Sequence, residues 1–192
     1  SLTLVGRRAE ALDAIDAPGR RLALDLRSPE ACRKAIDEAA ADGAVDAVIN
    51  AVGVVAFGPV EDLSVDAMEE LFLTNTFVPV FLAKAAIGKL APGGVLVNIS
   101  GVIAEQNLPG MAAYGASKAA TAAFDQALGR ELRRAGSRVL DARPPHTETG
   151  LADRAIEGTA PRMPDGLTAE RVATVIIDAI EAGLTDLPST AF

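Results

Sequence analysis

Tyr114 is the one tyrosine of this chain, and Lys118 follows it four residues later. On a helix that spacing sends both side chains from the same face, about one turn apart. A phenol titrates near 10 in water, which makes it a poor acid or base at neutral pH. An ammonium group within a few ångströms favours the phenolate and turns the pair into a tuned proton donor. The same spacing also describes a surface tyrosine stacked on the aliphatic stem of a lysine, so the pair needs its context. Other chemistry is sparse. Cys32 is the single cysteine and His146 the single histidine, which excludes an intramolecular disulfide and a cysteine metal cluster, and no metal site is expected. A Ser/His or Cys/His hydrolase would have to use His146, which reads as a solvated loop residue.

The elements that must position Tyr114 and Lys118 are legible as an alternation. Short aliphatic runs, at about Leu2 to Val5, Arg21 to Leu26, Ala44 to Asn50, Gly94 to Ser100 and Arg138 to Arg143, alternate with longer Ala-rich stretches of helical pattern. That order predicts a doubly wound α/β fold with a parallel sheet, and the runs alternate poorly with polar residues, as strands buried on both faces do. Ser28 before Pro29-Glu30, Ser64 before Val65-Asp66 and Thr168 before Ala169-Glu170 read as helix N-caps with an acid in the first turn. Phe124, Leu128 and Leu132 fall on one face of a helix from near Ala112 to near Gly136. Pro79 lies inside the helical stretch from Val65 to Leu90 and predicts a kink or a division there.

The chain has 192 residues, 49% hydrophobic and 23% charged, enough for one domain with a sizeable core. Its formal charge of −8 argues against a nucleic-acid partner. No apolar run reaches the ~18 residues that cross a bilayer, and the first residues carry no signal-peptide pattern. The reading is a soluble, cytoplasmic protein with no membrane partner.

Around the Tyr114/Lys118 pair stand Asn50-Ala51-Val52-Gly53 directly after a strand, Asn75 on the next helix, and Asn98-Ile99-Ser100 at the end of another strand. With these in register, the chain resembles the short-chain dehydrogenase/reductase family from Leu2 to about its C-terminus. The resemblance implies a single-domain Rossmann-like fold. It implies that Tyr114 protonates a carbonyl oxygen, Lys118 holds the nicotinamide ribose, and Asn75 supports a water and proton relay. Asn50, Ala51 and Gly53 match the family's Asn-Asn-Ala-Gly segment at the cofactor. Asp25-Leu26 resembles its adenine contact, Pro144 the start of its Pro-Gly strand end, and Thr149 the threonine that meets the carboxamide. Homodimers or homotetramers packed through the helices around Asn75 and Tyr114 are implied as well.

Cofactor choice reads separately. Folds that prefer NAD place an acid on the ribose 2′-hydroxyl after the second strand; here Gly6-Arg7-Arg8 supplies guanidinium groups suited to a 2′-phosphate. NADP(H) is expected in preference to NAD(H), with a small carbonyl or alcohol as substrate.

Three departures are visible. The family's serine lies thirteen residues before the tyrosine, where this chain has Gly101, while Ser100 lies one earlier. Successive strand residues point to opposite faces, so in a regular strand Ser100 faces away from Tyr114, and Gly101→Ser is expected to raise turnover. Pro145 stands in place of a glycine. The first strand and the glycine-rich turn that cradles a pyrophosphate are absent from the given sequence. That strand would lie between those starting at Leu2 and Ala44, so a preceding βα unit of roughly 20 to 40 residues is expected. Two competing readings follow: a non-catalytic dinucleotide-binding or regulatory protein, and a truncated scaffold with no cofactor site.

Overall fold

Two parallel sheets and the helices that cover them make up the computed structural model, which describes residues 1–192. Strand β1 (Thr3–Gly6) pairs with β2 (Arg20–Ala23) across α1 (Ala9–Asp13). The second sheet runs in the order β3 (Val45–Asn50), β4 (Leu90–Ile99), β5 (Arg138–Ala142) and β6 (Asp186–Leu187). No ladder joins β1 to β3, and β3 keeps one edge unpaired, with Ile49 51% exposed.

The centre of the second sheet, β4 and β5, is buried on both faces because these strands carry aliphatic runs. Leu96 and Val139 face α2 (Pro29–Ala39), α4 (Val78–Ala86) and α5 (Ala112–Arg133). Val95, Val97, Leu140 and Ala142 face α6 (Ala169–Glu181). Leu128 and Leu132 are buried in the first of these clusters, with Phe124 packed against it, as their spacing predicts. Val5, Leu24, Val48 and Val52 also pack there, so side chains of the helices on this face bridge the two sheets.

The helix starts follow the predicted caps. The side chains of Ser28, Ser64 and Thr168 accept from the backbone N–H groups of Ala31, Ala67 and Arg171. Pro79 divides its helix as expected. Between α3 (Val65–Phe72) and α4 lies a π-type turn, Leu73–Phe77, in which Asn75 is almost wholly buried. Pro79 has no N–H to give the Asn75 carbonyl four residues earlier; the Thr121 hydroxyl of α5 donates to that carbonyl instead, at 2.7 Å. The break thus docks the Asn75 turn onto the helix that carries Tyr114.

Several predicted boundaries shift, β2 ending at Ala23 instead of Leu26, and one strand is new. β4 begins at Leu90 instead of Gly94, with a register irregularity against β3 between Val45 and Ala47. α5 ends at Arg133, three residues before Gly136, and β6 is a two-residue strand with no pattern to read.

Candidate active site

A column of polar side chains is buried between the second sheet and α5, the helix that carries Tyr114 and Lys118. Asn98 and Asp141 share a face with Leu96 and Val139, under α5, by the two-residue period of a strand. Asn50 Nδ2 donates to Asn98 Oδ1 at 2.9 Å, and Asn98 Nδ2 donates to Asp125 Oδ1 at 2.7 Å. Asn50 Oδ1 in turn accepts from the Val52 N–H at 3.1 Å, which shapes the Asn50 to Gly53 turn. Asp125 Oδ2 is buried without a partner. Burial, and secondarily the nearby Asp141 charge, pushes this carboxyl up to about 8 against the pull of the Asn98 bond.

Asn75 clamps the next stretch of backbone. Its Oδ1 accepts from the Val54 N–H at 2.9 Å, and its Nδ2 donates to the Val54 carbonyl at 2.9 Å and to Ser117 Oγ at 3.0 Å. Its side chain thus holds Val54 to α5. Gly53 is the point of convergence: a β-carbon there would stand 3.3 Å from Asn75 Oδ1 and 3.5 Å from Lys118 Nζ. A bare glycine keeps that corner open for a close approach.

Lys118, 7% exposed, donates from Nζ to the Ile99 carbonyl at 2.7 Å. Burial brings its ammonium down to about 8, and the Asp141 charge opposes that shift. Tyr114 packs against Val54, Ala56, Leu63 and Leu71, together with Met68 and Ala113. Burial pushes its phenol up to about 12. The expected lowering of the phenol by Lys118 is thus not what this arrangement gives. The lysine faces a carbonyl, and the phenol is a protonated group in an apolar wall.

Ser100 is wholly buried and its hydroxyl donates to Asp141. It thus lies on the same side of the sheet as Asn98 and Asp141, under α5, where the regular alternation leads to the expectation of the opposite face, and its hydroxyl is engaged by the carboxylate. Gly101 has φ +80° and ψ 163°, a region that glycine alone occupies without strain. A side chain there meets only the Pro144 carbonyl, at 3.9 Å. The obstacle to a serine is the backbone, not space.

The remaining predicted positions divide. Arg7 and Arg8 are exposed at the end of β1 and line a shallow pocket with Gly6, Ala11, Leu12 and Ile15. Asp25 accepts from the Arg27 guanidinium at 2.6 Å, and that bond holds its carboxyl below the usual range. Leu26 does not line the site: its side chain is in the first core cluster and its carbonyl accepts from the Cys32 thiol at 3.0 Å. Ala51 is exposed and Pro144 buried, while Thr149 is exposed with its carbonyl accepting from Arg154 at 3.3 Å. His146 is half-buried, 3.3 Å from Glu148.

Sequence reasoning missed the strap over this region. The segment after β5 closes into a loop, the Leu167 N–H donating to His146 and the Glu148 N–H to Leu167, each at 2.8 Å. Its middle docks on the strand exit, with Ile156 N–H on Val55 at 2.8 Å and Phe57 N–H on Glu157 at 3.0 Å. The Glu157 carboxylate accepts from both the N–H and the hydroxyl of Ser64. Gly158 lies so close to the Phe57 carbonyl that no side chain fits. It also missed Asp141 and Arg143, although charges inside a strand pattern are a signal in themselves, because buried charges require partners.

The residues present fit a nicotinamide dinucleotide at its two ends: the open corner at Gly53 beside Lys118, and the free guanidinium groups after β1. Comparison with known proteins agrees. A profile of the short chain dehydrogenase family matches residues 3–159. The chain is 33% identical over 187 residues to dehydrogenase/reductase SDR family member 7B of Bos taurus, covering 88% of this chain and 58% of that protein. It is 30% identical over 135 residues to hydroxynaphthalene reductase arp2 of Aspergillus fumigatus, covering 68% of this chain and 49% of that one. It thus spans about half the length of the curated relatives it matches. Among solved structures, a short-chain dehydrogenase from Burkholderia cenocepacia in complex with NADP superposes with TM-score 0.83 at 22% identity, covering 96% of this chain and 74% of that one. One from Sphingobium yanoikuyae in complex with NADPH gives 0.80 at 25%, covering 97% and 76%. No helix is long and apolar enough to cross a membrane. The fold is Rossmann-like, and the chain belongs to the short-chain dehydrogenase/reductase family of oxidoreductases.

Proposed function

We propose that the complete protein is an oxidoreductase that exchanges a hydride between NADP(H) and a carbonyl or secondary alcohol. The observation that carries this reading is the corner at Gly53, open beside Asn75 and Lys118, with Tyr114 one turn before Lys118 on α5 and packed beside Val54. When bound, the nicotinamide supplies or accepts the hydride. Tyr114 holds a proton at its hydroxyl and delivers it to the substrate oxygen; a phenol pushed up to about 12 stays protonated at neutral pH, which suits the reducing direction. Lys118 would hold the ribose, and Asn75 keeps the Val54 backbone in place beside it. Val54, Ala56, Leu63 and Leu71 form an apolar wall against which the Tyr114 ring packs. Ser100, engaged with Asp141, stands outside this set.

Tyr114→Phe is expected to lower turnover by about 10²- to 10⁴-fold while NADPH binding stays near that of the parent. Activity within a few-fold of the parent would overturn the assignment. Arg7 and Arg8 support NADP(H) over NAD(H), since a guanidinium binds a phosphate bidentately. Titration of cofactor fluorescence should give tighter binding of NADPH than NADH, and the Arg7→Ala, Arg8→Ala double variant should lose that preference. Equal affinities in the parent would refute it.

The gap between β1 and β3 supports a single domain completed by a further strand, with its glycine-rich turn at the pyrophosphate. Phe77, 50% exposed and stacked on Phe81 at 5.9 Å, supports a homodimer or homotetramer through these helices. A second reading, a dinucleotide-binding protein without turnover, is favoured by Gly101 at the serine position. Any NADPH-dependent turnover of a carbonyl compound decides against it.

A further inference from the structure

The interior's most heavily paired charge lies outside the proposed catalytic set. β5 runs into Arg143, 9% exposed, beside Asp141, 3% exposed. The Arg143 guanidinium donates to Asp141, to Glu105, and to Asp186 Oδ1 at 2.6 Å. Glu105 also accepts from the Ser189 hydroxyl at 2.6 Å. The other Asp141 oxygen accepts from Ser100. One residue before Ser100, the Ile99 carbonyl accepts from Lys118 Nζ. Asp141 and Lys118 therefore hold adjacent residues, the first the Ser100 hydroxyl and the second the Ile99 carbonyl.

We propose that Asp141 is a positioning residue of the site: its carboxylate, fixed by Arg143, holds the Ser100 hydroxyl in the sheet and supplies the buried negative charge that faces the Lys118 ammonium. The consequence for catalysis rests on the role assigned above to Lys118.

The inventory of neighbouring charge supports this. Lys118 makes no salt bridge, and its Nζ donates to one backbone carbonyl. From its own helix the neighbours are Tyr114, a neutral phenol, and Asp125, whose carboxyl burial holds near 8. From the π-type turn comes the neutral Asn75 amide. From β5 come Asp141 and Arg143, and the Arg143 charge is shared with Glu105 and Asp186. Asp141 is thus the carboxylate whose field opposes neutralisation of the lysine on burial. Holding Ser100 needs only an acceptor, which asparagine also provides; holding a charge on Lys118 needs the acid.

That difference sets the test. The chain has four lysines, Lys34, Lys84, Lys89 and Lys118, so lysine labelled with ¹³C at Cε gives four signals in the full chain, and Lys118→Arg identifies the one of interest. In Asp141→Asn the Lys118 midpoint is expected to fall by about one pH unit, while the other three stay in place. Arg143→Gln, which leaves Asp141 uncompensated, should move Lys118 upward, and it decides the matter should Asp141→Asn not fold. A merely structural role gives no such opposite pair of shifts. Equal Lys118 midpoints in parent and Asp141→Asn, or a downward shift in Arg143→Gln, would overturn the proposal. In kinetics, the alkaline limb of kcat/KM should follow the NMR midpoint. The titration needs no turnover, so a Tyr114→Phe variant that stays active would remove the catalytic assignment of Tyr114 and leave this proposal standing.

Discussion

Gly101 and Ser100 together decide how many hydroxyls reach a substrate oxygen. The sequence places the two residues one position out of step with the family and leads to the expectation that Gly101→Ser restores a missing contact. The backbone overturns it. At φ +80° and ψ 163° any β-carbon is strained, at a cost of about 1–3 kcal/mol, and the serine would form only by moving the loop that Glu105 anchors. Gly101→Ser is therefore expected to lower the melting temperature and to leave kcat at or below that of the parent; an increase in kcat without loss of stability would contradict this. Ser100→Ala should cost far less activity than Tyr114→Phe, because its hydroxyl is engaged with Asp141 in the sheet. A loss as large as that of Tyr114→Phe would return Ser100 to the catalytic set. The phenol, the lysine and the missing hydroxyl were legible because residue type and spacing carry them. The torsion angle at Gly101 was not, since it depends on how β4 and β5 exit the sheet side by side.

Between elements, the polar column couples α5 to β4 and β3 through Asp125, Asn98 and Asn50. The helix itself was legible from the spacing of Phe124, Leu128 and Leu132, and the division at Pro79 from proline's missing N–H. The column was not, because Asp125 sits next to Phe124 on what reads as an ordinary polar flank, and only the strand register brings Asn98 beneath it. Its burial has a measurable consequence. The Asp125 carboxyl is pushed up to about 8 from 3.8, so the folded chain keeps a proton that the unfolded chain releases. Ionisation in the native state is thus penalised, and stability falls as pH rises between about 4 and about 8, then levels off. Asp125→Asn keeps an acceptor for Asn98 and removes the penalty. Its stabilisation should grow across that window, by at most about 1.4 kcal/mol per pH unit, as read from denaturant midpoints at pH 5 and pH 8. A difference between variant and parent that does not change with pH would refute the assignment.

At the scale of the whole molecule, the two sheets are held in unequal ways. β4 and β5 are paired on both sides and covered on both faces, with Val97 and Leu140 at zero exposure. β1 and β2 make one four-residue ladder, every β1 residue is half-exposed, and α1 contributes only Leu12 to the interior. What joins this pair of strands to the rest is packing of Val5 and Leu24 on the first core cluster, not a ladder to β3. The order of elements leads to the expectation of a strand between these two pieces; it could not tell that helix side chains would hold them together across the separation. Local opening of β1 and β2 exposes little apolar surface and breaks few backbone bonds, whereas opening of β4 dismantles both core clusters. Native-state hydrogen exchange of residues 1–192 should therefore show amides of β1 and β2 exchanging at least about tenfold faster than those of β4 and β5, a difference of about 1.4 kcal/mol or more in opening free energy. A strand seated between β1 and β3 would pair both free edges and bring the two sets of rates together. Equal protection of the two sheets in residues 1–192 alone would mean that helix packing suffices to make one cooperative unit, and that the gap carries no cost.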